Sequence, residues 1–182
     1  NIMSAWEKTL RIALSVLFTA AVALCGQAFA DTSSEWYQGL TPPTLQPPLA
    51  VFSIARVILS VLFAVSLSII AIRSGGGGLR PAAADPNDPN SKPRRPELFP
   101  KNKSTLMLYL TGGVLSALWP YTFFMLQNLT GALFVLIAML VVVAVLISSA
   151  SRISPVAAAL LLPCFVWLCF ALYLNYEFAF LN

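Results

Sequence analysis

The sequence predicts an all-α integral membrane protein, a five-transmembrane-helix bundle, and two observations carry that expectation. Of its 182 residues, 58% are hydrophobic and only 10% are charged, well below the roughly 25–35% charged residues of a water-soluble surface. The apolar residues also gather into five runs, each long enough to cross a hydrocarbon core about 30 Å thick at about 1.5 Å per residue. These spans and their connections nearly exhaust the chain, so residues 1–182 read as a single membrane domain.

The first run, about 10–30, is interrupted by Arg11 and Gln27. Glu7-Lys8, Arg11 and the small residues of Ala28-Phe29-Ala30 before Asp31 also fit a secretory signal with its cleavage site, but a retained span is the expected reading. Residues 31–48 hold Trp36, Tyr37 and the pairs Pro42-Pro43 and Pro47-Pro48. Proline cannot continue a helix and favours extended backbone, while Trp and Tyr suit a membrane interface, so this stretch is a loop. The second span, about 49–72, starts directly after those prolines and ends before Gly75–Gly78.

Residues 74–103 are polar and carry Pro81, Pro86, Pro89, Pro93 and Pro96, and so bury too little apolar surface to fold alone. They form an arm, expected to lie against another protein chain. Three further spans follow at about 105–125, 130–149 and 155–176. The last opens with Ser154 as an N-cap and Pro155 at the first helical position, where proline is tolerated.

The charges give the topology. Ten of the eleven Lys and Arg residues lie at the N-terminus, within 73–103, or at Arg152, all on one side of a five-span chain. By the positive-inside rule that side is cytoplasm, matrix or stroma, with the C-terminus opposite. The net charge of +4 thus reflects orientation and does not point to nucleic acid. Arg56 is the exception, a basic residue about 10 Å into the second span. An ionisable group there is a functional candidate, although its long side chain also suits snorkelling or an ion pair with Glu177, which the topology places at the same end.

Reactive groups are scarce. The chain has no His, and Cys25, Cys164 and Cys169 lie inside apolar runs, so neither a metal centre nor a disulfide framework is expected. Gly75–Gly78 leads into Leu79-Arg80-Pro81 and lacks the Lys-Ser/Thr of a phosphate loop. No catalytic residue is assigned, no cofactor is required, and an enzyme is not expected.

The most specific pattern is in the last third: Leu118-Trp119-Pro120 with Phe123-Phe124, Ile153-Ser154-Pro155, Leu162-Pro163, Trp167, Phe170-Ala171, Leu174-Asn175-Tyr176 and Leu181-Asn182. Together with Trp36, the double-proline loop and Phe52, it resembles the translocator-protein family, also called tryptophan-rich sensory proteins, over nearly the whole chain apart from the arm. The resemblance implies a five-helix bundle that binds a tetrapyrrole such as protoporphyrin, or a sterol, in a pocket opening towards the first loop. It implies a ligand-binding set of Trp36, Phe52, Arg56, Trp119, Phe123, Trp167, Phe170, Ala171 and Asn175. The aromatic members offer flat apolar faces to a macrocycle, yet helix packing uses the same side chains. Asn175 needs a polar partner in lipid, whether a ligand or a neighbouring helix.

Several positions depart from the family pattern. Ala50 and Arg56 stand where tryptophans are usual, Ser60 replaces a tyrosine, and Gly112 and Ser116 replace Gln and Asn. The C-terminal sterol-recognition pattern lacks its basic residue, since Glu177-Phe178-Ala179-Phe180 follows Tyr176. An inverse match through Lys103, Tyr109 and Val114 is of a kind easily met by chance. Hence an alternative function stands beside ligand binding: a non-catalytic structural subunit of a larger membrane protein complex, docked through residues 74–103. A mitochondrial or plastid membrane is favoured over a bacterial one, because the opening Asn1-Ile2-Met3 hints at a removed leader.

The charge asymmetry makes a direct prediction. In sealed vesicles, a protease confined to the positive side should cut within 80–103 and spare the loop around Trp36; cleavage of both loops from one side would overturn this topology.

Overall fold

The computed structural model describes residues 5–74 and 103–182; the arm expected at 74–103 lies outside them except for its end residues. Five helices in the described residues are long and apolar enough to cross a membrane: α1 (Ala5–Phe29), α3 (Leu49–Arg73), α4 (Lys103–Pro120, continued by a π-helical turn at Tyr121–Met125), α5 (Leu129–Ser151) and α6 (Pro155–Leu181). A one-turn helix, α2 (Glu35–Gln38), lies in the first loop and was not anticipated. The ends of the helices differ from the sequence-based spans chiefly at α1, which starts at Ala5, and at α6, which continues past Tyr176 with Phe178 buried in the bundle.

Local chemistry sets the boundaries. Pro48 precedes α3. Ser154 caps α6 by accepting from the Ala157 N–H, with Pro155 at the first position, which satisfies one of the donors a helix start leaves open. Asn128 caps α5 by accepting from Gly131 N–H at 2.8 Å. A Cβ at Gly131 would sit 2.6 Å from Asn128 Nδ2, so a larger residue there would make the capping side chain shift.

Each helix packs on two neighbours, giving a closed ring in the order α1, α3, α6, α5, α4. The outward faces are apolar: Leu17, Val57, Phe134 and Val166 are each about two-thirds exposed. Such a surface is an aggregation liability in water and an ordinary one in lipid. The chain is an integral membrane protein.

The two ends of the ring are built differently. At the end where α1 starts, Leu67, Ile70, Tyr109, Leu146, Ala150 and Leu161 form a solid core. Ser66 ties three helices there: its hydroxyl donates to Ala157 O at 2.7 Å and shares a 2.6 Å hydrogen bond with Tyr109 OH. Arg11 reaches from α1 to donate to Ala71 O at 2.6 Å near the end of α3. Midway along, α1 and α4 approach closely because Gly113 makes room for Phe18, whose ring would lie 2.5 Å from a Cβ at that position.

Replacing Ser66 by Ala would leave the Ala157 carbonyl and Tyr109 hydroxyl without that partner in a water-free core. Interhelical hydrogen bonds in membranes average about 0.6 kcal/mol and reach about 1.7, so Ser66→Ala should cost about that range in unfolding free energy in detergent. Unchanged stability would show the node to be energetically idle.

Candidate functional site: a cavity at the loop-covered end of the bundle

At the opposite end α1 stops, α3 begins, and α4 and α6 run out, all beneath the loop that carries α2. A cavity of about 160 Å³ lies between them, with Arg56, Phe52, Trp119, Phe123 and Asn175 in its walls and Tyr37 of α2 contributing from the loop. The π-helical turn explains how two consecutive phenylalanines both face it. An α-helix turns successive side chains by about 100°, and widening the turn changes that spacing; Phe123 and Phe124 therefore stand together, ring centroids 4.8 Å apart.

The aromatic wall is continuous. Trp119 lies 5.4 Å from Phe123, and Phe123 also meets Phe178 at 5.6 Å, edge to face, within the 4.5–7 Å range of favourable ring pairs. Trp36 does not line the cavity but braces Phe123 from behind, edge-on at 5.8 Å. Asn175, only 2% exposed, fixes the geometry. Its Oδ1 accepts from Trp119 Nε1 at 3.1 Å and its Nδ2 donates to Leu129 O at 3.0 Å, so one amide joins α6 to α4 and α5 and sets the plane of the Trp119 indole.

The loop above is fastened by polar contacts. Gln46 Nε2 donates to Tyr37 OH at 2.9 Å, Thr41 N–H donates to Asn182 Oδ1 at 2.8 Å, and Thr44 Oγ1 lies 3.4 Å from the Glu177 carboxylate. Asp31 accepts from both the N–H and the hydroxyl of Ser33, and these bonds hold its carboxyl below the usual range.

Of the sequence-derived set, Phe52, Arg56, Trp119, Phe123, Ala171 and Asn175 meet at this cavity. Trp167 and Phe170 are placed elsewhere, in an open apolar groove between α3 and α6 with Ile58, Leu162 and Val166. Phe52 stands at the boundary, lining the cavity while its ring meets Trp167 edge-on at 5.7 Å. Sequence reasoning missed Tyr37, Phe124, Phe178 and Gln27, which also line the cavity. Phe178 was accessible in principle, because it lies three residues after Asn175 and so shares its helix face; Phe124 depends on the π turn, for which the sequence carries no clear signal.

The expected pairing of Arg56 with Glu177 does not form. Glu177 accepts from Tyr173 OH and lies beside Thr44, while the Arg56 guanidinium turns the other way, across the bundle to α1. A Cβ on Gly26 would lie 2.6 Å from Arg56 Nη2. Arg56 thus follows the space that Gly26 leaves open on α1.

A family model described as the TspO/MBR family matches residues 15–181. No curated protein matches the chain.

The Asn175 node predicts its own test. In Asn175→Leu, the Trp119 indole N–H loses its acceptor, which should shift the tryptophan emission spectrum and cost about 1–2 kcal/mol of stability. Unaltered emission and stability would mean that the amide is not what orients Trp119.

Proposed function

Because the chain belongs to the TspO/MBR family, we propose that it is a translocator-type membrane protein that binds a hydrophobic, planar aromatic ligand, a tetrapyrrole, at the loop-covered end of the bundle. The observation that carries this reading is the aromatic wall of Trp119, Phe123 and Phe124 around a cavity, with Asn175 holding the indole plane in place. Flat apolar faces with a few placed polar groups are the usual make-up of a small-molecule site.

The cavity volume constrains how binding takes place. About 160 Å³ is below the roughly 300–1,000 Å³ of sites for drug-sized ligands and near the about 150 Å³ engineered cavity that holds a benzene. A macrocycle therefore enters with displacement of the covering loop, through loss of the Gln46–Tyr37 and Thr41–Asn182 contacts. Those contacts are few and at the water-facing end, where opening costs least. The proposed role is binding without catalysis.

Titration of the protein in neutral nanodiscs with protoporphyrin IX should give saturable quenching of tryptophan emission. Trp119→Leu combined with Phe123→Leu should weaken the affinity by about tenfold, the equivalent of about 1.4 kcal/mol and within reach of one or two aromatic contacts. Absence of saturable quenching in the parent protein would overturn the proposal.

A further inference from the structure

We propose that Arg56 makes this cavity selective for ligands carrying a carboxylate, and that Gly26 is the positioning residue that aims its guanidinium. The inference rests on the ligand-binding reading above and assigns the ionic character of what binds.

Arg56 sits in the second turn of α3, half-buried within a membrane span, and lines the cavity together with the aromatic wall. Among the described residues no carboxylate lies within 4.0 Å of it and none of its nitrogens makes a hydrogen bond. The carboxylates at this end of the bundle are engaged elsewhere or exposed: Asp31 with Ser33, Glu177 with Tyr173 and Thr44, and Glu35 on the outer side of α2.

A guanidinium is always protonated and presents a rigid fork of donors that matches a carboxylate. Unmatched charge in a low-dielectric site is costly. The tip of Arg56 rests against the α1 backbone at Gly26, where any side chain would collide with Nη2. From there the fork borders a space whose other walls are rings and the Asn175 amide. A ligand with a flat apolar body and an anionic edge satisfies both halves of that space at once. A phosphate headgroup of an anionic lipid shares the charge but lacks the flat body that the wall is shaped to receive.

The experiment compares protoporphyrin IX with its dimethyl ester, which keeps the macrocycle and removes the charge. Binding is measured by tryptophan quenching in zwitterionic nanodiscs, well above the pH range in which carboxyls titrate. A charge-assisted contact of this type predicts that the parent protein binds the acid about ten- to a hundredfold more tightly than the ester. In R56Q the acid should fall to the affinity of the ester. Gly26→Ala keeps the charge but displaces the guanidinium, and should lower acid affinity selectively, which a purely structural role for Gly26 would not do.

Equal affinity for acid and ester in the parent protein overturns the inference while leaving the ligand-binding reading intact. Failure of the parent protein to bind either compound overturns both. Loss of both compounds in R56Q would make Arg56 a structural residue and also overturn the inference, as would displacement of the acid by phosphatidylglycerol doped into the nanodiscs at the same molar ratio.

Discussion

Hydrocarbon offers no hydrogen bonds, and the Asn175 amide shows how the bundle meets that constraint. A polar group left unpaired in lipid costs several kcal/mol. Asn175 avoids this by joining Trp119 to the start of α5, and in doing so places the largest ring of the cavity wall. Several hydroxyls are satisfied locally: Ser15, Thr19, Ser68 and Thr122 each donate to the carbonyl four residues earlier. Where a polar group is shared between helices, as at Ser66 and Arg11, polar bonding adds to the packing of the ring. Polar side chains that are not satisfied within the bundle then stand out, and Arg56, in the cavity wall, is one of them.

The same constraint divides the molecule lengthwise. One end is filled by side chains around Ser66 and Tyr109; the other is left incompletely filled beneath a loop. Backbone outside helices is tolerated in a membrane protein where it meets water or lines a cavity, so the irregular first loop belongs at the hollow end. The filled end holds the helices together and the hollow end carries the irregular backbone, so packing and open space lie at opposite ends of the ring.

Much of the architecture was legible in the sequence because membrane spans are read from length and apolarity alone, and the Ser154-Pro155 and Pro47-Pro48 boundaries have direct physical meaning. The faces of the helices were not legible. Lipid is as apolar as the bundle interior, so α6 is hydrophobic over most of its surface and periodicity does not say which side is inward; Trp167 and Phe170, which the family resemblance placed in the ligand set, line the outer groove. The direction of Arg56 was equally hidden, since it depends on a glycine on a different helix. Nor was α2 visible: a single helical turn has no periodicity, and it is held by the Ser34 cap and by Tyr37 packing against Phe124.

The π-helical turn at Tyr121–Met125 carries a consequence for how this chain tolerates change in length. A π turn amounts to one extra residue accommodated within an α-helix, so the stretch behaves as an insertion held in the fold. Removing a single residue here would let α4 continue as a regular helix, with the segments on either side keeping close to their present facing, because the turn and not the flanks absorbs the change. The loss would be local: Phe123 and Phe124 would no longer share one wall. The turn is therefore the place along α4 where a one-residue deletion disturbs the bundle least and the cavity wall most.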